Sequence, residues 1–151
     1  MAVHPDFREF FALLNAKKVS YLIIGGVAYN YHAPPRATKD IDVWVEPSAD
    51  NLERLIEAIT EFGFPTDQLD PEVLAKTSKV LMLGRVPYRI DILTRPSGVE
   101  WTSSWASRIK GLYGDVSVSI LGIEELIDSK VAAGRPHDLA DVELLRRLSG
   151  G

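Results

Sequence analysis

The sequence predicts an α/β (α+β) fold in which helices cover a small, partly antiparallel sheet. Short apolar runs of strand length alternate with segments whose apolar residues recur at helical spacing. Their order is helix, strand, helix, strand, helix, several strands and two closing helices. A length of 151 residues, 46% hydrophobic and 25% charged, suits one domain, residues 1–151, with a real core.

The first helix spans residues 5 to 16, with Phe7, Phe10, Phe11 and Leu14 on one stripe and Asp6 in its first turn. Residues 19 to 24 form a strand without alternation, as expected when both faces are buried. A short helix follows Gly25-Gly26 and stops before Pro34-Pro35. Asp40 to Val45 is the second strand, broken by Pro47 and Ser48. Asp50 with Glu53 resembles a capping box, and Leu52, Leu55, Ile56, Ile59 and Phe62 give a helical stripe closed by Gly63. PEVLAK forms a turn or two of helix. Lys79 to Leu83 and Tyr88 to Thr94 are strands around a Gly84–Pro87 turn. Trp101 and Trp105 share a short helix, and Ser107–Leu112 pairs with Val116–Leu121 as a hairpin. In the closing helices Ile123, Leu126, Ile127 and Val131 face inward, then Leu139, Val142, Leu145 and Leu148.

The chain has no cysteine, which excludes disulfides and cysteine-bound zinc, and its three histidines lack metal-ligand spacing. No run of 18 apolar residues is present, and the N-terminus is too polar for a signal peptide, so the expected location is cytoplasmic, away from membranes. A net charge of -4 argues against broad nucleic-acid coating, and no DNA partner is expected.

The stretch YLIIGGVAYNYHAPPRATKDIDVWV, residues 21 to 45, carries the chemistry. Side chains two apart on a strand share a face, which puts Asp40, Asp42 and Trp44 together. Adjacent carboxylates repel, and a divalent cation between them relieves that repulsion. Gly25 and Gly26 open a helix whose unpaired N–H groups and positive dipole end suit phosphate. A later strand offers Asp91, flanked by apolar residues. Taken singly, these features also fit a surface strand and an ordinary strand-to-helix turn.

Gly-Gly, then Asp-h-Asp, then h-Asp-h, with h apolar, resembles the minimal nucleotidyltransferase pattern of the DNA polymerase β superfamily. The string KDIDVWV and the terminal segment are similar to small bacterial nucleotidyltransferases of the abortive-infection toxin type. The resemblance implies transfer of a nucleoside monophosphate from a nucleoside triphosphate, such as ATP, to a hydroxyl of a protein or RNA acceptor. It implies Mg²⁺, as one ion or two with Mn²⁺ as a substitute, held by Asp40, Asp42 and Asp91, with Asp91 nearest the acceptor. It further implies a toxin–antitoxin setting with a partner protein. The alternative is a non-catalytic nucleotide-binding or interaction module of the same fold.

Lys130 lies on the apolar stripe of its helix, where it either snorkels or meets an anion. KVAAGR and HDLAD resemble terminal motifs of the same family. By that resemblance Lys130 contacts the triphosphate or base, with Arg135 close by, and Asp138 or Asp141 serves the acceptor or positions Lys130. Asp138 and Asp141 also suit the start of a helix behind Pro136. Arg36, Thr38 and Lys39 precede the Asp40 strand, where they either reach phosphate oxygens or form a solvated loop. His32 is expected to cap or pack, and Trp101 and Trp105 to pack a core or lid.

Overall fold

The computed structural model describes residues 1–78, 80–85 and 88–150, with Arg85 described in its backbone only. Its elements are α1 (Pro5–Ala16), β1 (Tyr21–Ile24), α2 (Gly25–His32), β2 (Asp40–Val45), α3 (Ala49–Phe62), α4 (Pro71–Lys76), β3 (Leu81–Arg85), β4 (Tyr88–Leu93), α5 (Trp101–Ala106), β5 (Ile109–Tyr113), β6 (Val116–Ile120), α6 (Ile123–Ala133) and α7 (Pro136–Leu148). The strands form one mixed sheet in the order β3-β4-β2-β1-β6-β5. β1 runs antiparallel to β2 and parallel to β6, β2 runs parallel to β4, and the β3–β4 and β5–β6 pairs are antiparallel. The expected mixed α/β architecture with two C-terminal helices is the one observed.

All four residues of β1 are buried, as its unbroken apolar run predicts. Along β2, Ile41, Val43 and Val45 are fully buried on one face, in register with Ile90 and Ile92 of β4. Phe7 of α1, Phe62 of α3 and Ile90 line one small cavity, which places α1 and α3 over this face. α2 packs on β1, β2 and α6, and α6 on α7.

The structure corrects several expectations. Ser48, not Asp50, caps α3: its side chain accepts the Asn51 N–H. Ser48 is the last residue in extended conformation before the helix, so its hydroxyl is the oxygen that meets the first free N–H groups. β3 begins at Leu81 and runs to Arg85. The expected strand start at Lys79, and Val86 and Pro87 of the expected turn, lie outside the described residues. The closing helices are rotated from the expected stripes. Val131, Leu139 and Leu148 are exposed at 46%, 51% and 48%, whereas Asp138 and Asp141 are buried. Ion pairs turn the start of α7 inward at a carboxylate face, against its leucine pattern.

Candidate active site

The site begins where β1 passes directly into α2. Gly25 has φ +68, a left-handed conformation that costs little only for glycine. A Cβ added at Gly25 would lie 2.3 Å from Asp42 Oδ2. The absent side chain is thus what lets the Asp42 carboxylate lie against the turn. β-pairing sets the approach, because Ile24 is the register partner of Asp42. Gly26 faces Thr38, whose Oγ1 donates to the Asp40 carbonyl at 2.9 Å and so ties the loop to the strand start. Replacing Gly25 with alanine is expected to cost about 1–2 kcal/mol from backbone conformation alone. It is also expected to displace Asp42. A thermal melt and a nucleotide titration on Gly25→Ala check both effects.

The β2–β4 register aligns Asp42 with Asp91 and Asp40 with Arg89. Three carboxylates and one guanidinium thus share a face of two neighbouring strands. Arg89 grips Asp91 with both arms, Nε to Oδ1 at 2.7 Å and Nη2 to Oδ2 at 3.0 Å, and reaches within 3.8 Å of Asp40 Oδ2. Asp40 Oδ1 is buried and has no hydrogen-bond partner among the described residues. The Asp42 carboxyl is pushed up to about 6, first by burial, then by Asp91 and Asp40; Arg89 offsets part of this.

Among the described residues, no three His, Asp or Glu side chains converge as an ion-binding group, and Asp91 is engaged by Arg89. The donor set nevertheless fits Mg²⁺. Hard oxygens are supplied by Asp40 and Asp42 from one strand, and one of those oxygens is buried and unpartnered. Mg²⁺ is usually held by one or two carboxylates together with substrate phosphates, not by an all-protein cage.

A second cluster gathers α2, α6, α7 and the loop before β2. Arg36 binds Asp141 through both terminal nitrogens, at 3.1 and 2.8 Å, and lies 3.9 Å over the Tyr29 ring. Asn30 holds the Arg36 backbone at both its N–H and its carbonyl. Lys130, whose side chain is 11% exposed, donates to Asp141 at 2.9 Å and lies 3.9 Å from Asp138. Arg135 donates to Asp138 at 2.6 Å, and the Asp138 carboxylate also accepts the Arg135 backbone N–H, closing a capping box on α7. Both carboxyl groups are held below the usual carboxylate range. For Asp138 the Arg135 hydrogen bond is the main cause; for Asp141 burial opposes ionisation, but hydrogen bonds from Arg36 and Lys130 outweigh it.

The structure thus brings Gly25, Gly26, Thr38, Asp40, Asp42 and Asp91 into one locus and Arg36, Lys130, Arg135, Asp138 and Asp141 into another. Lys39 is exposed, and its carbonyl accepts the Arg89 N–H at the start of the β2–β4 ladder. His32 Nε2 is 2.7 Å from the Leu121 carbonyl, so this ring ties a helix end to the strand terminus. Trp101 packs edge-on against Trp44 and stacks on Trp105, which sits under the Arg108 guanidinium. Sequence reasoning gave no role to Arg89, Tyr29 or Asn30. The spacing of Arg89, two before Asp91 on a strand, carried that signal; no local pattern announced the other two.

A cavity of about 320 Å³, lined by His4, Phe7, Val27 and Tyr88 among others, also takes in Arg36, Thr38 and Lys39 of the loop before β2 and so borders both clusters.

A family described as nucleotidyltransferase of unknown function (DUF6036) matches residues 6–147. No curated protein sequence matches. Among solved structures, the lincosamide antibiotic adenylyltransferase LnuA with lincomycin bound is similar at TM-score 0.61 and 15% identity, covering 98% of this chain and 99% of that one. A putative nucleotidyltransferase from Thermotoga maritima is similar at TM-score 0.62 and 15% identity, covering 99% and 96%. ANT(2")-Ia in complex with adenylyl-2"-tobramycin is similar at TM-score 0.59 and 14% identity, covering 96% and 87%. At such identities these likenesses speak for the fold, and they agree with the family match over nearly the whole chain. The chain belongs to this nucleotidyltransferase family.

Proposed function

We propose that the protein is a Mg²⁺-dependent enzyme that transfers a nucleoside monophosphate from a nucleoside triphosphate to an acceptor hydroxyl. The observation that carries this reading is the contact of Asp42 with the Gly25 turn, beside Asp40 and opposite Asp91. It sets a helix N-terminus suited to phosphate against carboxylates suited to a hard cation.

The acceptor oxygen attacks the α-phosphorus, the bond to the bridging oxygen breaks, and pyrophosphate leaves. Mg²⁺ bound at Asp40 and Asp42 supplies neutralisation of charge on the phosphoryl oxygens. The free N–H groups at the start of α2 face the triphosphate, and Gly25 and Gly26 permit its close approach. Asp91, on the neighbouring strand, orients the acceptor hydroxyl and takes its proton. Arg36 has a half-exposed side chain and, from the loop before β2, is the cation of the second cluster offered to phosphate. The enclosed Lys130 braces Arg36 through their shared Asp141.

LnuA, a lincosamide antibiotic adenylyltransferase, and ANT(2")-Ia, in complex with adenylyl-2"-tobramycin, support a hydroxyl-bearing small molecule as acceptor beside a protein or RNA. The toxin–antitoxin setting, with its partner protein, is carried by the resemblance of KDIDVWV and the terminal segment. The test is incubation with each of four α-labelled nucleoside triphosphates and Mg²⁺ against cell RNA, protein and small-molecule fractions. Label is expected on one fraction, and is lost in Asp40→Ala and Asp42→Ala or with chelator. Calorimetric binding of a Mg²⁺–nucleotide without turnover in any fraction would instead indicate the non-catalytic module.

A further inference from the structure

Arg89 stands where the proposed chemistry requires a cation. Its guanidinium occupies both oxygens of Asp91 and approaches Asp40, and it lies opposite Asp40 in the β2–β4 register. It is not a buried structural tie, because its side chain is 34% exposed. The β-strand period holds it on the carboxylate face, so it cannot leave that face without breaking the ladder. A planar fork fits a carboxylate with two parallel N–H bonds, which an ammonium cannot do.

We propose that Arg89 is a resident counter-cation that closes the carboxylate site to free divalent ions, so that metal enters as the metal–nucleotide complex. The inference rests on the functional reading above. While Arg89 grips Asp91 and stands 3.8 Å from Asp40 Oδ2, a lone ion meets Asp42 and the other oxygen of Asp40 against a repelling guanidinium. A metal–nucleotide complex brings phosphate oxygens that accept the guanidinium's N–H groups as Asp91 releases them. Charge is then exchanged and not exposed: the carboxylates take the metal and the arginine takes a phosphate. Arg89 is a positioning residue in this scheme, acting through the state of Asp91 and Asp40.

The test is an electron paramagnetic resonance titration of free Mn²⁺ into the purified chain, with and without a non-hydrolysable nucleoside triphosphate. Without nucleotide, Arg89→Gln is expected to bind Mn²⁺ at least tenfold more tightly than the unmodified protein. Arg89→Lys keeps the charge but loses the fork, and is expected to gain several-fold. With nucleotide the differences are expected to shrink or reverse. Equal or weaker Mn²⁺ binding by Arg89→Gln would overturn the proposal. So would a gain in Arg89→Gln with none in Arg89→Lys, since that pattern needs only the field of a positive charge. If Mn²⁺ binds neither variant nor the unmodified chain, even with nucleotide, and Asp42→Asn looks no different, the metal reading itself fails. If Mn²⁺ binds through Asp42 but Arg89 has no effect, only the Arg89 inference fails. Circular-dichroism melts of both variants confirm that folded protein is titrated.

Discussion

Asp141→Ala is expected to destabilise the protein by about 3 kcal/mol, among the largest losses of any single polar substitution in the chain. Breaking a buried ion pair leaves its partner charged and unpaired, at a typical cost of about 3–5 kcal/mol. Asp141 serves two cations of unequal freedom. Arg36 has a 48% exposed side chain and can turn to water, whereas Lys130 is 11% exposed and cannot. This asymmetry sets the expected value at the lower end of the range. Asp138 stays within reach of Lys130 but is already engaged by Arg135, so it compensates little. Urea unfolding of Asp141→Ala, and of Asp141→Ala with Lys130→Met, checks the mechanism. The second change removes the stranded charge and is expected to recover more than half of the loss. Equal stability of the single and double variants would show that Lys130 was not the stranded partner.

Asp42→Asn is expected to have opposite effects on function and stability. Transfer should fall by about a thousandfold, the equivalent of about 4 kcal/mol of lost charge stabilisation in the transition state. The folded, metal-free protein should gain stability above pH 6. The carboxyl is raised from 3.8 to about 6 in the fold, with burial as the first cause and the neighbouring carboxylates next. The folded state therefore binds more protons than the unfolded state between those pH values, and the unfavourable contribution grows as pH rises through that window. Below about pH 4 the group is protonated in both states and contributes nothing. The gain in Asp42→Asn is expected to be roughly 1–2 kcal/mol at pH 7.5, after allowance for solvent screening, and to vanish near pH 4. Melts at the two pH values measure it. A stability loss at pH 7.5 would mean that Asp42 is a satisfied structural carboxylate.

Much of this site was legible in the sequence because it depends on short-range order. Strand period two places Asp40 with Asp42, and glycine at a strand–helix junction marks the turn that Asp42 approaches. The unbroken apolar run Tyr21–Ile24 foretold a central strand buried on both faces. What was not legible depends on pairing between distant segments. The β2–β4 register that sets Arg89 opposite Asp40, and Asp91 opposite Asp42, cannot be read from either strand alone. The same holds for α7. Its leucines at 139, 142, 145 and 148 suggested one inward face. Tertiary pairing of Asp141 with Arg36 and Lys130, beside the local Arg135–Asp138 capping box, goes with a helix whose Leu139 and Leu148 face outward. Periodicity counts apolar residues and is blind to carboxylates buried against cations.

The most direct test of the central claim follows two labels through one reaction. The protein is incubated with the nucleoside triphosphate that supports transfer, labelled at the α-phosphorus in one sample and at the γ-phosphorus in another. Nucleotidyl transfer predicts α-label on the acceptor and γ-label in pyrophosphate, both lost in Asp42→Asn. Label from the γ-position on the acceptor, or α-label transfer that survives in Asp42→Asn, would contradict the account.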